Sequence, residues 1–400
     1  MNRMAGLRVS GVRCLPLFLL LACSPAPAAD AEAQLAGRTA THNRSAFALP
    51  DSVFVHLVGE LSEAGGYFDT DNLISNESSY LHVIGALERD GVRGGAYVGV
   101  GPDQNFSYIA EIRPEIAFIV DIRADNLVQQ LMFKAMFELA ENRLEYLTLL
   151  YGRMPPSDVN AWTERSLSDV LAYIDGTETP VDDGEAVRER IKEQVLRTGI
   201  ALSDEDLRTL DRFHLEFIRS GLDLRFQSHG RTPRFFYPDH RQLFSETDLE
   251  GRQVSFMASA EAFRVVKELQ DKNLVVPVVG DLAGSHALGA IGRHVEQMGL
   301  TVSALYSSNV EFYLWQAHTF EQFAETVAGL PASERSVLIR SHFGGGFRTP
   351  HPQSQPGYYS TQLLQRIVDF RDAVQAGGFS SYGDVVTRNS VPLGAERIPG

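Results

Sequence analysis

Residues 94–123 read GGAYVGVGPDQNFSYIAEIRPEIAFIVDIR, and the fold prediction starts from this stretch. The β-rich run 96–100 is followed by Gly101 and a proline, a pair that strand interiors do not tolerate. Apolar residues then recur at helical spacing, and a second apolar run, 116–120, ends at Asp121. The pattern predicts a strand, a glycine turn, a helix and a second strand, which together form half of a nucleotide-binding βαβ unit.

The turn and the acid predict where a ligand contacts this unit. Gly99 and Gly101 lack Cβ atoms, so a ligand can approach the backbone beside the unpaired N–H groups of the following helix. Asp121 lies 22 residues after Gly99 (121 − 99), where such folds hold a ribose hydroxyl. Asn105, among the polar residues after the turn, completes this predicted set. A glycine turn that only connects packed strands is the alternative interpretation.

The charge near the turn bears on the kind of ligand. Asp103 stands where the dinucleotide-binding fingerprint has its third glycine. A carboxylate there repels a pyrophosphate and suits a nucleoside with a positive charge or none. The sequence therefore favours a ligand like S-adenosylmethionine over NAD or FAD.

The first residues of the chain predict export. Three arginines precede an apolar run, 15–22, that is too short to span a bilayer. The tetrad at 20–23, LLAC, resembles a bacterial lipobox, in which Cys23 is diacylated and becomes the new N-terminus. We expect a signal peptide over 1–22 and a protein attached to a bacterial membrane, on the periplasmic side, through a lipid on Cys23. Ordinary cleavage a few residues later, which releases a soluble periplasmic protein, is the alternative.

The acidic composition argues against several partners. The chain has 36 Lys and Arg against 51 Asp and Glu, a formal net charge of −15, and loss of the signal arginines makes it −18. Such a surface opposes binding to nucleic acid and to anionic lipid. The only other cysteine, Cys14, lies inside the signal, so we expect a mature chain without disulfides.

Apolar patterning divides the rest of the chain. We expect a flexible tether (23–46), the first half of a Rossmann-like domain with the glycine loop (47–156), a helical insertion (157–245), the second half (246–375) and an irregular tail (376–400). Near-continuous apolar strands between helices indicate a mostly parallel sheet covered on both faces. The fold class is therefore α/β, a Rossmann-like three-layer sandwich, with the insertion acting as a cap over the strand ends. The last predicted element of the second half is a helix over 361–376.

Further candidate site residues follow from the same topology. Ligands bind outside the carboxyl ends of the strands in such sheets, and this rule adds Asp281, Asn309 and Arg340 to the predicted edge. The helix before the first strand can bring Asn76 and Glu77 to the glycine turn. Helix capping is the alternative role for these two residues.

One polar segment is assigned a structural role. Residues 227–241 contain His229, His240, Arg231 and other polar side chains in a proline-interrupted loop. The two histidines lie eleven positions apart, and no HxxxH or cysteine spacing indicates a metal. We therefore expect a structural loop and no metal site. A catalytic or anion-binding role for this set of His, Arg and Tyr side chains is the alternative interpretation.

With these residues in hand, the chain resembles an uncharacterised bacterial family that carries a class I methyltransferase-like domain. The matching segments are 73–80, 97–110, 117–123, 278–284 and 306–314. The resemblance implies a Rossmann-like fold and an S-adenosylmethionine-type pocket at Gly99, Gly101 and Asp121. It implies no assigned reaction.

Two classes of function stay open. The first is an enzyme, a methyltransferase-like transferase in which the glycine turn and Asp121 hold an adenosine-type ligand and Asp281 or Asn309 orients the acceptor. The second is a non-catalytic envelope protein that binds a small molecule or a protein partner. No Asn/Asp-Pro-Pro-Tyr segment follows a later strand, and S-adenosylmethionine is made in the cytoplasm. Both observations favour the second class. The retained glycine turn and acid favour the first.

Overall fold

The computed structural model describes residues 47–179, 181–182, 184–232, 234–344 and 350–394. The predicted signal peptide, Cys23 and the predicted tether lie outside these residues, as does the end of the predicted tail, 395–400. Within the described ranges, no helix combines the length and the apolar composition that crossing a membrane requires.

The described residues form one seven-stranded sheet with the order β3-β2-β1-β4-β5-β6-β7. The strands are β1 (Ala96–Val100), β2 (Ile116–Asp121), β3 (Val275–Val279), β4 (Val302–Ser308), β5 (Val337–Phe343), β6 (Ser360–Arg366) and β7 (Ser390–Val391). Strands β1 to β5 are parallel, whereas β6 runs antiparallel to β5 and β7 antiparallel to β6. The predicted α/β fold with a mostly parallel sheet is confirmed.

Fifteen α-helices accompany this sheet in the described part of the chain. They are α1 (Asp51–Leu61), α2 (Ile84–Arg89), α3 (Gln104–Ile112), α4 (Ala124–Leu139), α5 (Arg143–Leu150), α6 (Leu167–Gly176), α7 (Glu185–Arg197), α8 (Asp204–Ser220), α9 (His240–Ser245), α10 (Ala260–Asp271), α11 (Ala287–Gln297), α12 (Val310–Gln316), α13 (Phe320–Ala328), α14 (Ile367–Gln375) and α15 (Tyr382–Thr387). Helices α3, α4 and α10 pack together, and α1 packs with α11. Since crossovers between parallel strands are right-handed as a rule, the reversal of strand order at β1 and β4 puts the helices of the two halves on opposite faces of the sheet. This arrangement is the Rossmann-like sandwich.

The strand order fixes where a ligand can bind. From β1 the chain passes outward to β2 and β3, and it then returns to pair β4 with the other side of β1. Gly99 in β1 lies between Ile119 of β2 and Tyr306 of β4. The direction of the connections reverses at β1 and β4, so the crevice outside their carboxyl ends is the expected ligand site.

The segment 157–245 contains helices α6 to α9, and the longest of them, α8, packs on α4. Helix α8 begins with a capping box of Ser203 and Asp206, and it buries Phe213 and Phe217 on one face. This apolar face needs a partner, and it packs on α4, where the Phe217 and Phe133 rings lie 6.0 Å apart. The loop that follows α8 reaches the carboxyl edge of the sheet, where Phe226 lines the cavity. The expectation that this segment caps the strand ends with helices stays a prediction.

Two further expectations near the C-terminus are wrong. The predicted helix over 361–376 is a strand, β6, followed by the shorter helix α14. All seven residues of β6 pair with β5, and its polar Gln362 and Gln365 are buried. Buried glutamines made the segment look like one amphipathic helix, so the strand was missed. The stretch expected to be irregular, 376–400, contains α15 and β7 in its described part.

Candidate functional site

A cavity of about 320 Å³ opens at the carboxyl ends of β1, β2, β3 and β4. We call it the strand-end cavity. Of the predicted site residues, it is lined by Asn76, Glu77, Gly101, Asp121, Asp281 and Asn309. The fold thus brings together side chains that are more than two hundred positions apart in the sequence.

Gly101 forms the wall of this cavity next to β1. Its φ of +84° lies in the left-handed region that side chains rarely adopt. A Cβ atom there would lie 3.1 Å from Nδ2 of Asn72. The Gly101 carbonyl oxygen accepts hydrogen bonds from Nδ2 of Asn126 (3.2 Å) and Nε2 of Gln130 (3.1 Å), both on α4. The turn is therefore held in one conformation at the edge of the cavity.

Gly99 and Asn105 lie behind the turn and do not line the cavity. A Cβ atom on Gly99 would come within 2.0 Å of Asn105 Oδ1, so this glycine makes room for the asparagine. Asn105 Nδ2 donates to the carbonyls of Val100 (2.9 Å) and Pro102 (2.7 Å), and its Oδ1 accepts from the Tyr97 hydroxyl (2.8 Å). The structure therefore corrects their placement, because packing and turn hydrogen bonds, rather than ligand contact, account for both residues.

The Asp103 carboxylate also points away from the cavity. Its Oδ2 lies 2.8 Å from Nε2 of His240, and the other ring nitrogen of His240 lies 2.8 Å from the Tyr151 hydroxyl. All three side chains are buried. Asp103 joins the glycine turn to helix α9, so the expectation that this carboxylate repels a pyrophosphate is overturned.

Asp121 lies in the cavity wall at the end of β2 and is fixed by Arg123. Its Oδ1 accepts from the backbone N–H and from Nε of Arg123, both at 3.0 Å, and its Oδ2 accepts from Nη2 at 2.8 Å. Arg123 in turn donates to the Thr70 carbonyl at 3.0 Å. A carboxylate offers about four acceptor positions, and Arg123 occupies three of them. Asp121 therefore keeps room on Oδ2 for one ligand hydroxyl, not for both hydroxyls of a ribose.

Glu77 is a buried acid in the wall of the cavity. Its carboxyl accepts from the Tyr306 hydroxyl (2.7 Å), from Gln362 Nε2 (3.3 Å) and from the hydroxyls of Ser308 and Ser341. Among the described residues, no Arg or Lys forms an ion pair with it. Burial raises the pKa of the Glu77 carboxyl, and the hydrogen bonds from Ser308, Ser341, Tyr306 and Gln362 oppose that rise. Glu77 therefore favours the neutral form more than an ordinary glutamate does.

Ser308 holds a strained backbone conformation next to Glu77. Its φ is +54°, and the β4–β5 register shifts between Tyr306 and Ser308. Such a conformation costs about 1–3 kcal/mol and is concentrated at functional sites. The bend directs the Ser308 hydroxyl to Glu77 and places the next residue, Asn309, at the cavity.

Asp281 and Asn309 occupy different parts of the site. Asp281 follows β3, where its Oδ1 accepts from the backbone N–H of Ala283 at 2.9 Å. It lines the strand-end cavity next to Leu282, and it does not line the second cavity. Asn309 lines both this cavity and a second one. Arg340 lines neither, because it is buried in β5 in an ion pair with Glu311 (Nε to Oε2, 2.9 Å).

The second cavity, which we call the aromatic chamber, has a volume of about 280 Å³. It shares Phe68, Asn76, Phe226, Asn309 and Tyr313 with the strand-end cavity, so the two adjoin. Arg231, Arg234 and Tyr237 line it and come from the segment 227–241. That segment was expected to be only structural, and this expectation is corrected. The histidines, arginines and tyrosine of the segment indicated a possible binding role, but the aromatic residues that face them come from distant elements.

The described residues contain no group of three or more His, Cys, Asp or Glu side chains arranged to hold a metal ion. Two ionisable groups of the segment 227–241 that line or adjoin the second cavity contact nearby acids. His229 Nε2 lies 3.3 Å from Asp71 Oδ1, and Arg231 pairs with Asp69.

A family model described as "Domain of unknown function (DUF7790)" matches residues 73–198 and 201–388. The match covers more than three quarters of the 400 residues and includes the helical insertion. Both β1 and Asp121 lie inside it, as do Glu77, Asp281 and Asn309. The predicted resemblance to a family without an assigned activity is confirmed. Comparison with curated proteins gave no match.

Proposed function

The chain belongs to this family of unknown function, and we propose that its strand-end cavity binds an adenosine-type small molecule such as S-adenosylmethionine. The observation that carries the proposal is the fixed Asp121 carboxylate at the end of β2, beside the Gly101 turn. A carboxylate at this position accepts a ribose hydroxyl in nucleotide-binding folds. Asp121 keeps one acceptor position for this purpose, and the charge-assisted hydrogen bond formed there is a strong one.

Apolar side chains beside Asp121 suit a planar base. Ile122 follows the acid directly, and Leu282 faces the cavity from the end of β3. Small-molecule sites are mostly apolar, with a few polar groups that fix orientation. Asp281 is next to Leu282, and we assign it to the exocyclic amine of the base. This replaces its role as a candidate for orienting the acceptor.

The charges around the cavity favour a cationic or neutral ligand. Asp121 and Asp281 face one cation, Arg123, which Asp121 already neutralises. This excess of acids opposes a pyrophosphate, so the preference over NAD and FAD now rests on these residues and not on Asp103. An ammonium or sulfonium group would instead compensate this excess of negative charge. S-adenosylmethionine carries both groups.

An enzyme and a binding protein remain the two candidate classes. S-adenosylmethionine supplies an electrophilic methyl group, and an enzyme needs a second site for the acceptor. The aromatic chamber adjoins the strand-end cavity at Asn309, and this favours the methyltransferase-like transferase. Asn309 would then orient the acceptor. In a non-catalytic envelope protein, the cavity would hold a small molecule, or the protein surface would bind a protein partner. No methylated product would form in either case.

Calorimetry of the purified mature chain tests the proposal. We expect S-adenosylmethionine, S-adenosylhomocysteine or adenosine to bind, and NAD to bind more weakly. Asp121→Asn should lower the affinity for the nucleoside about tenfold, because a charge-assisted hydrogen bond is lost and the Arg123 guanidinium loses its carboxylate partner. Asp369→Asn is the matched control, since Asp369 accepts two 2.8 Å hydrogen bonds from Arg366 far along the chain. Absence of heat with all three nucleosides would contradict the proposal.

For location, we propose a lipid-anchored protein of the bacterial cell envelope. The sequence around Cys23 supports this, with its apolar run and lipobox-like tetrad. Mass spectrometry of the N-terminal peptide from membranes should find a diacylated Cys23 at the new terminus. An unmodified peptide that begins a few residues later would instead support a soluble periplasmic protein.

A further inference from the structure

The aromatic chamber has a composition that points to a ligand of its own. Of the fifteen described residues that line it, eight are Phe or Tyr. Two of the others are arginines and one is an aspartate, so these ionised side chains leave one net positive charge. We propose that the chamber binds a small aromatic carboxylate, with its ring among the aromatic side chains and its carboxylate on Arg234. This goes beyond the proposed function, because it concerns a second ligand and requires no nucleoside.

The ring pairs in the chamber support an aromatic ligand. Phe68 and Tyr313 meet edge to face with centroids 5.0 Å apart, and Phe312 and Tyr313 meet in the same way at 5.5 Å. Edge-to-face and offset arrangements are the favourable ones between aromatic rings. A ligand ring that enters this cluster extends the same kind of contact, which a saturated ring of similar size cannot do.

Of the two arginines that line the chamber, Arg234 is the one available to bind an anion. Arg231 is paired with Asp69 across the chamber wall. Arg234 has no carboxylate partner among the residues that the structure describes. Its Nη1 donates to the Tyr359 hydroxyl at 3.2 Å, and its guanidinium lies 5.9 Å from the centre of the Tyr237 ring. A guanidinium presents five N–H donors in a fork that matches a carboxylate, and most of these donors are available.

Size and charge narrow the ligand class. The volume of about 280 Å³ is just below the range of about 300–1,000 Å³ that is usual for small-molecule sites, which suits a small ligand. One available guanidinium matches a monoanion better than a dianionic phosphate. The chamber adjoins the strand-end cavity at Asn76 and Asn309, so a ligand bound in it lies next to that cavity.

Ligand-observed NMR without any nucleoside tests the inference. The probes are benzoate, its neutral analogue benzamide and its saturated analogue cyclohexanecarboxylate. Benzoate should bind more tightly than either analogue. Arg234→Gln should weaken benzoate about tenfold and leave benzamide unchanged, because only the charged hydrogen bonds are lost. Phe312→Leu should reduce the preference for benzoate over cyclohexanecarboxylate.

Arg264→Gln is the control variant. Arg264 is 64% exposed on α10 and pairs only with Glu268 at 3.2 Å, so its loss should not change benzoate binding. Equal binding of benzoate and benzamide would overturn the inference, and so would unchanged benzoate affinity in Arg234→Gln or no binding of any probe at millimolar concentration. Because no nucleoside is present, these outcomes are independent of whether the strand-end cavity binds one. Arg234→Gln should also leave S-adenosylhomocysteine affinity unchanged.

Discussion

Oε2 of Glu77 lies 2.7 Å from the Tyr306 hydroxyl, although the two residues are 229 positions apart in the sequence. Tyr306 is fully buried in β4, and Glu77 is only 1% exposed in the segment that leads to β1. The pair joins the segment before β1 to β4, one of the two strands at which the direction of the connections reverses. Since hydroxyls and an amide surround this acid, and no cation of the described residues pairs with it, its protonation state is linked to stability.

We predict that stability falls as the pH rises, because of Glu77. Burial raises the pKa of this carboxyl above its ordinary value of 4.5, so the folded state keeps a proton that the unfolded state releases. The contribution is fully present below pH 4.5 and is lost as the pH rises through the folded pKa, with a slope of at most about 1.4 kcal/mol per pH unit. Urea unfolding across this range should show that Glu77→Gln removes this part of the pH dependence. The exposed Glu261→Gln should retain it, and equal slopes in wild type and Glu77→Gln would contradict the prediction.

Substitutions at the two glycines of the turn should have different effects. Gly99→Ala places a Cβ atom 2.0 Å from Asn105 Oδ1, and we expect a loss of about 1–3 kcal/mol in unfolding free energy from overpacking. Gly101→Ala places alanine at a φ of +84°, which costs about 1 kcal/mol, and it narrows the cavity entrance beside Asn72. Thermal unfolding and nucleoside titration separate the two. If Gly99→Ala left stability unchanged but abolished ligand binding, Gly99 would be a ligand contact.

Asp103→Asn should weaken the fold and spare the cavity. The carboxylate contacts His240 at 2.8 Å, so its replacement removes a buried charged partner at a cost of about 1–3 kcal/mol. Since Asp103 does not line the strand-end cavity, nucleoside affinity should stay the same. The variant is measured by urea unfolding and calorimetry. A stable variant that gained affinity for NAD would restore the idea that this acid selects against a pyrophosphate.

Local patterns were sufficient to predict β1, the glycine turn, α3 and β2. Each of these elements is encoded by a short apolar period or by a turn pair, and the strands predict a parallel sheet once they alternate with helices. The capping box at Ser203 is likewise local, because Ser203 and Asp206 satisfy each other's backbone N–H groups. The choice of the carboxyl edge as the site followed from a general rule of such sheets and needed no contact information.

The features that short sequence patterns did not predict depend on distant partners. Gln362 in β6 is buried because its Nε2 donates to the Tyr108 hydroxyl at 2.7 Å, and the buried Gln365 accepts from Arg340 at 2.8 Å. A strand with such polar residues lacks the apolar signature of the other buried strands. The orientation of the Asp103 side chain depends on its contact with His240, which lies 137 positions later in the sequence. The aromatic chamber likewise combines side chains from at least four separate segments.

Ser308 allows the backbone strain at the site to be measured by two substitutions. Ser308→Ala removes the hydroxyl that donates to Glu77 and keeps a Cβ atom at a φ of +54°, whereas Ser308→Gly removes both the hydroxyl and the strain. We expect both variants to lose the hydrogen bond, and the glycine variant to be more stable than the alanine variant by about 1 kcal/mol. Urea unfolding at pH 7 measures this difference directly. If the alanine variant were as stable as the glycine variant, the left-handed conformation at residue 308 would store no strain. The bend after β4 would then be set by packing of Tyr306 alone.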